Sequence, residues 1–247
     1  MKKILFVAAS LVAMVACNKV AISPAELQNG YLAFDIASDD VVVETKAVSA
    51  EDLGNYNVTL GGQWTKKYSE IMNQTFTLAP AQYTLSAENM TETEAETGNG
   101  ALRIASPVLN VTVVANETTT ETLACVPQSS KLTLQYTDAF KEVFSSYSFE
   151  LVKKDGTARK DGVTTLSVAE NMPVFYNGDV VLTYTLKGVH ELNGLKTLTG
   201  DITLSKGHSL TVKADQSSQS GGLKIQITAD DTLIEDTDQT ITIDPYL

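Results

Sequence analysis

The sequence predicts an all-β protein made of two consecutive antiparallel β-sandwiches with one or two short helices. Apolar and polar residues alternate with period two along much of the 247 residues, which is typical of strands with one buried face. These stretches are rich in threonine and β-branched residues, which favour strands. Clusters of turn-forming residues, such as "KKDGTARKDG" and "SSQSGG", separate them. We therefore expect sandwiches of the transthyretin-like or immunoglobulin-like type.

Three segments show the strand alternation most cleanly. "KLTLQY" places its apolar side chains at Leu132, Leu134 and Tyr136. In "DVVLTYTLKG" and "GLKIQIT", the apolar positions are Val180, Leu182, Tyr184 and Leu186, followed by Leu223, Ile225 and Ile227. Each set lies on one face of its strand because side chains alternate between the two faces.

Helical patterns are few. "TDAFKEVFSS" predicts two turns capped by Asp138. "QWTKKYSEIM" has Trp64, Tyr68, Ile71 and Met72 on one face of a possible helix. The acidic stretch "TETEAETGNG" has the composition of an exposed loop.

The chain shows a weak internal duplication. "NYNVTL" is followed by "FTLAPAQYTLSAENM" and "LNVTVVANETTTETLAC", and the series "SYSFELV", "FYNGDVVLTYTLKG" and "LTGDITLSKGHSLTVKAD" repeats that order. Two similar domains explain this order better than one large sandwich. We predict domains over residues 31–128 and 129–247, after a segment at 1–16 that is removed and a tether at 17–30.

The first residues predict export and lipid anchoring. Lys2 and Lys3 precede an apolar run that ends at Ala16, and the run is shorter than the roughly 20 residues of a membrane-spanning helix. Met14 to Cys17 resembles the lipobox of bacterial lipoproteins, so we expect cleavage between Ala16 and Cys17 and acylation of the cysteine. Two or three acyl chains would hold the protein on a membrane. The alternative is an ordinary cleaved signal with an unrelated cysteine.

Charge and cysteine content narrow the function classes. The net charge is −12 and becomes −14 when Lys2 and Lys3 are removed with the signal. This acidity argues against nucleic acid, whose phosphates are bound by Lys and Arg. If Cys17 is acylated, Cys125 has no partner for a disulfide, and its strand-like surroundings predict a buried thiol.

Enzymatic and metal-binding patterns are weak, and we predict no enzyme, no cofactor and no metal site. His190 and His208 are the only histidines, and neither has a local nucleophile and carboxylate arranged for catalysis. Zinc-ligand spacing is absent from the sequence. The acidic segment "ADDTLIEDTD" lacks the central glycine of a calcium loop. A carboxylate pair of the glycosidase type is not excluded by counting alone.

Several segments in order resemble a known group of proteins. They are the lipobox cysteine, "GYLAFDI", "VVVETKAVSAEDLGNYNVTL", "FTLAPAQYTLSA" and "LACVPQSSKLTLQY". The chain is similar to two-domain lipoproteins of unknown function from Bacteroidetes, which are close in plan to fimbrillins and cell-adhesion proteins. Relatives usually carry Leu-x-Pro-Gly-x-Tyr where this chain has Ala81 in place of the glycine. A turn without a positive φ is therefore expected at Ala81.

The resemblance implies a maturation step. Fimbrillin-type precursors are cut after a basic residue that follows the first strand, and Lys46 and Ala47 stand at the matching place, after "VVVET". Loss of the first strand opens a groove that a strand of another subunit fills. The C-terminal "QTITIDPYL" is a candidate donor strand. The alternative is an exposed lysine in a loop between strands.

Two further sites concern carbohydrate. Trp64 and Tyr68 are candidate contacts for a glycan, although the same residues also fit a helix face packed on the core. The triplet that begins at Asp231 resembles the O-glycosylation signal of Bacteroidetes, with Thr232 as acceptor.

These observations together predict an exported, lipid-anchored, non-enzymatic protein of the cell envelope. Its expected role is surface adhesion or that of a fimbrillin-like, pilus-associated subunit, held in the outer membrane through acylated Cys17. The expected partners are the membrane, other envelope proteins reached by strand addition, and a glycan. The alternative function is a glycan-binding lipoprotein of a polysaccharide-uptake system, with binding at Trp64 and Tyr68.

Overall fold

The computed structural model describes residues 28–38, 53–216, 223–230 and 240–243. These residues form strands with three short helices, which confirms the predicted all-β, sandwich-like fold. None of the helices in these ranges is long and apolar enough to cross a membrane.

The N-terminal half forms one bonded network of eight strands. Its strands are β1 (Gly30–Ser38), β2 (Asn57–Leu60), β3 (Trp64–Lys67), β4 (Thr75–Leu78), β5 (Ala81–Glu88), β6 (Ile104–Ala105), β7 (Leu109–Val113) and β8 (Thr118–Pro127). The order is β3-β2-β5-β6-β8-β1-β4, and β7 pairs with β5. The helices are α1 (Tyr68–Ile71) and α2 (Glu92–Ala95).

The C-terminal half is a sandwich of two sheets. Its strands are β9 (Ser129–Tyr136), β10 (Phe144–Lys153), β11 (Thr165–Ser167), β12 (Val174–Asn177), β13 (Val180–His190), β14 (Gly194–Leu204), β15 (Ser209–Gln216), β16 (Leu223–Asp230) and β17 (Thr240–Ile243). One sheet has the order β11-β10-β13-β14 and the other β12-β9-β15-β16-β17. Helix α3 spans Asp138–Val143.

Each half has its own hydrophobic core. The N-terminal core contains Leu32, Phe34, Ile36, Val58, Leu60, Leu85, Val111, Leu123 and Cys125 among its buried residues. The C-terminal core includes Leu132, Leu134, Phe140, Phe149, Leu151, Tyr176, Tyr184, Leu186 and Val212. The alternating residues of the "KLTLQY" and "DVVLTYTLKG" segments supply the second core, as the period-two pattern predicts.

The sheets are not purely antiparallel, which corrects one part of the prediction. β1 runs parallel to β8 over eight residue pairs, and β9 runs parallel to β15 over six. Each of these strands has an antiparallel neighbour on its other side, which is β4 for β1 and β12 for β9. Alternation reports which face of a strand is buried and says nothing of the direction of its neighbour, so the sequence pattern could not distinguish the two cases. Both halves therefore contain a strand with one parallel and one antiparallel neighbour.

The helix predictions were correct only in part. Trp64–Lys67 is a strand that pairs with β2, and a turn at Gly61 and Gly62 connects the two strands. The helix begins only at Tyr68. Helix α3 forms as predicted, but its N-cap is Thr137, whose hydroxyl accepts a hydrogen bond from the backbone N–H of Phe140. Positive φ at non-glycine residues of the described chain occurs at three asparagines and not at Ala81, as the altered turn predicts.

Candidate functional site

Several predicted sites lie outside the described residues. They are the cleavage and lipidation pair Ala16 and Cys17, the maturation pair Lys46 and Ala47, and the glycosylation acceptor Thr232. These assignments stay predictions.

Trp64 belongs to an aromatic cluster that joins three strands. Its ring lies 4.9 Å from that of Phe76 on β4 and 6.5 Å from that of Phe34 on β1, measured between centroids. The rings of Phe34 and Phe76 stack at 5.7 Å with an interplanar angle of 8°. Trp64 is half-buried, and the Nζ of Lys66 lies 5.7 Å from its ring centroid. The indole therefore packs partly on the core and partly at the surface.

Tyr68 is buried and forms a hydrogen bond with a residue of β1. Its side chain is 7% exposed, and its hydroxyl donates a hydrogen bond to the carboxylate of Asp35. The same carboxylate oxygen accepts from the backbone N–H of Ile36 at 2.8 Å. Burial, and then the bond to Asp35, raises the pKa of Tyr68 to about 12. Tyr68 offers no ring face to a sugar here, in agreement with the interpretation that it packs on the core.

Replacement of Asp35 by Asn should lower the pKa of Tyr68 from about 12 toward its ordinary 10.0, because the hydroxyl then faces no carboxylate. Burial, the larger cause of the shift, persists, so the pKa should remain above 10.0. Since the folded pKa is raised, the contribution of Tyr68 to stability is complete below pH 10 and is lost as the pH rises through about 12. Titration of tyrosinate absorbance measures the pKa of Tyr68, and the Tyr68→Phe variant identifies which part of the signal belongs to this residue. An unchanged titration in Asp35→Asn would contradict the contact.

β1 occupies the position that the proposed maturation would empty. The strand lies between β8 and β4 and buries Leu32, Phe34 and Ile36, which are 0%, 8% and 6% exposed. Its N-terminal end fits closely, since a Cβ on Gly30 would lie 2.2 Å from the carbonyl oxygen of Val114. Loss of β1 would leave the backbone edges of β8 and β4 unpaired and uncover core side chains between them. The site is thus a groove that β1 itself fills.

Sequence reasoning missed a buried polar junction between the two halves. Glu96 was expected in an exposed loop, but its side chain is fully buried. Its carboxylate accepts hydrogen bonds from the backbone N–H groups of Lys160 at 2.5 Å and Asn177 at 2.8 Å. The Nζ of Lys153 lies 3.5 Å away. A carboxylate from the N-terminal half therefore accepts hydrogen bonds from two segments of the C-terminal half.

Arg159 completes this junction from the other side. Its side chain is 4% exposed, and its Nη2 donates to the backbone carbonyls of Glu96 and Gly98, the second at 2.8 Å. The guanidinium lies 5.0 Å from the ring centroid of Tyr176. Within the segment itself, "GNG" is a turn signal, and Gly98 and Gly100 both have positive φ.

His190 and Cys125 are buried, and both histidines take part in hydrogen bonds with the backbone. His190 is 5% exposed, and its Nδ1 accepts from the backbone N–H of Leu192 at 3.1 Å. The carbonyl of His208 accepts from the backbone N–H of Lys131 at 2.9 Å. Cys125 is fully buried, and burial raises the pKa of its thiol to about 11. Within the described ranges, no group of three His, Cys, Asp or Glu residues is placed to hold a metal.

The fold defines an all-β protein with one core in each half and a buried polar junction between them. The chain belongs to the family of the domain of unknown function DUF4493, whose model matches residues 28–245. No curated protein sequence matches the chain significantly.

Several solved structures are similar in fold. A candidate adhesin from Bacteroides ovatus has 9% sequence identity and a TM-score of 0.48, over 86% of this chain and 94% of its own. The fimbrial anchor protein Mfa2 from Porphyromonas gingivalis has 11% identity and a TM-score of 0.43, over 81% and 96%. A candidate polysaccharide-binding protein from Bacteroides thetaiotaomicron has 11% identity and a TM-score of 0.46, over 87% and 98%. At these identities the likeness to the three proteins is one of fold alone.

Proposed function

We propose that this chain is an exported, lipid-anchored envelope protein without enzymatic activity, which acts in surface adhesion or as a fimbrillin-like, pilus-associated subunit. Acylation of Cys17 would follow cleavage after Ala16 and place the protein in the outer membrane. The basic start, the short apolar run and the position of the cysteine support this part of the proposal.

The position of β1 carries the assembly part of the proposal. The strand lies between β8 and β4 and buries three large side chains, yet the chain that follows it passes through Lys46 before β2 begins. A cut after Lys46 would leave β1 attached by noncovalent contacts only. A strand of another subunit would then add to the exposed edges and form backbone hydrogen bonds with them.

The C-terminal strand β17 is the proposed donor. It pairs with β16 over four residues, from Thr240 to Ile243, and no other described strand pairs with it. Such a short terminal edge strand costs little to displace compared with a central one.

We also propose the domain division at residue 128. Every described ladder joins strands within 30–127 or within 129–243, and the two cores share no residue. The signal would cover 1–16 and the tether 17–30, before domains at 31–128 and 129–247.

Intact mass and N-terminal sequencing of the protein from its native membrane should find two chain starts, at acylated Cys17 and at Ala47. Lys46→Gln removes the basic residue that a trypsin-like protease needs, so it should abolish the Ala47 start and any ladder of high-mass assemblies. Lys67→Gln, at an exposed lysine of β3, is the matched control and should leave both unchanged. Assemblies that persist in Lys46→Gln would argue against the maturation step, and an unmodified Cys17 would argue against the anchor.

A further inference from the structure

A cleft in the C-terminal half is lined by no residue of β1 and by none of Glu96, Lys153, Arg159 and Asn177. It has a volume of about 310 Å³, which is at the lower end of the range of small-molecule sites, roughly 300 to 1,000 Å³. Its lining includes Tyr136, Tyr147, Ser148, Ser167, Val168 and Glu170. The walls come from β9, β10 and the segment that follows β11.

An aromatic surface forms one side of this cleft. Tyr147 is 37% exposed, and its ring centroid lies 4.4 Å from that of Tyr136 and 5.2 Å from that of Phe140. Tyr136 and Phe140 are themselves buried, so they hold the Tyr147 ring from behind. A partly exposed ring supported by buried rings is a rigid apolar surface. Because the ring is already ordered, stacking of a ligand on it costs the protein little conformational entropy.

A fixed carboxylate forms the polar side. The Oε1 atom of Glu170 accepts from the Nζ of Lys141 at 2.6 Å and from the backbone N–H of Tyr136 at 3.3 Å. The hydrogen bond from Lys141 lowers the pKa of Glu170, so the group is ionised at neutral pH. Its other oxygen, Oε2, accepts no hydrogen bond within the described part of the chain. A carboxylate oxygen without a hydrogen-bond partner in the described chain therefore lies beside the aromatic surface.

This combination selects a chemical class of ligand. A hexopyranose has an apolar C–H face that stacks on an aromatic ring and hydroxyl groups that donate hydrogen bonds to a carboxylate. The carboxylate of Glu170 and the net charge of −12 disfavour anionic ligands. We propose that this cleft binds a neutral hexopyranose unit of a glycan. The proposal rests on the adhesive role above and names the ligand class through which adhesion would act.

Saturation-transfer difference NMR on the full chain tests this with methyl glycosides of glucose, galactose, mannose and N-acetylglucosamine as probes. At least one glycoside should receive saturation at its ring protons. Tyr147→Ala should weaken its affinity about tenfold, the loss expected for one aromatic contact of about 1.4 kcal/mol. Glu170→Gln should also weaken binding while it preserves the size of the side chain. Tyr31→Ala, which removes a tyrosine of similar exposure from β1, should bind as the parent chain does.

Three results would overturn the proposal. They are the absence of saturation transfer to all four glycosides, binding unchanged in both Tyr147→Ala and Glu170→Gln, and binding that is lost in Trp64→Ala but kept in Tyr147→Ala. The last result would place the glycan at the N-terminal cluster. Because neither lipidation nor cleavage enters this experiment, its failure leaves the anchor and the maturation step to be judged by N-terminal sequencing alone.

Discussion

Glu96→Ala should lower the free energy of unfolding by about 3 to 5 kcal/mol, the cost of breaking a buried ion pair from one side. The substitution leaves the backbone N–H groups of Lys160 and Asn177 without an acceptor. It also leaves the Nζ of Lys153, on a side chain that is only 14% exposed, without the carboxylate 3.5 Å away. Since these groups belong to the C-terminal half and Glu96 to the N-terminal half, the substitution should also uncouple the two.

Denaturant unfolding followed by two probes measures both effects. Trp64 is the only tryptophan and reports on the N-terminal half, whereas far-UV circular dichroism reports on both. The two curves should coincide in the parent chain and separate in Glu96→Ala. Glu117→Ala removes an exposed carboxylate between β7 and β8 and should change stability by no more than about 0.5 kcal/mol. Coincident curves and a loss below about 1 kcal/mol in Glu96→Ala would show that the junction does not couple the halves.

The architecture was predictable to the extent that local chemistry determines it. Alternation in "DVVLTYTLKG" identified the inward residues of β13, because a strand with one buried face must alternate. The same reasoning identified Leu132 and Leu134 as inward residues of β9. It could not give the direction of pairing between β1 and β8, which lie more than 80 residues apart in the chain.

The polar junction was hidden for a different reason. "TETEAETGNG" is acidic and glycine-containing, and such composition is typical of exposed loops. Glu96 is buried because Arg159, Lys153 and two backbone N–H groups surround it, and these partners lie more than 50 residues away in the sequence. The local indications of structure there are Thr91 and Glu94, a capping box that starts α2, and the two glycines of "GNG".

Some candidate sites could be identified from the sequence and others could not. Tyr68 is buried and Trp64 is half-buried, and the segment expected to form one helix is a strand up to Lys67 and a helix only from Tyr68. The cleft at Tyr147 and Glu170 had no sequence signature, since its aromatic and acidic residues come from segments that are brought together only by the sandwich. A contact between β9, β10 and the chain after β11 is a property of the tertiary fold.

A chain that begins at Ala47 should be strongly destabilised and should show a red-shifted Trp64 emission. It lacks β1 and with it Leu32, Phe34 and Ile36, each of which would cost about 2 to 5 kcal/mol if truncated singly to alanine. The loss should therefore exceed that of Glu96→Ala. Trp64 responds because the Phe34 ring, 6.5 Å from the indole and stacked on Phe76, leaves with the strand.

A synthetic peptide of residues 28–38 should restore both properties to that chain, because it supplies the eight residue pairs with β8 and the contacts with the core. The same peptide with Leu32→Asp and Phe34→Asp should fail, since it would place charges at two buried positions. Rescue by the first peptide and not the second would establish that the groove accepts a strand in trans by its side-chain pattern. If the chain that begins at Ala47 kept the emission of the parent protein, the aromatic cluster would not depend on β1. Maturation at Lys46 would then leave no groove of the kind that strand addition requires.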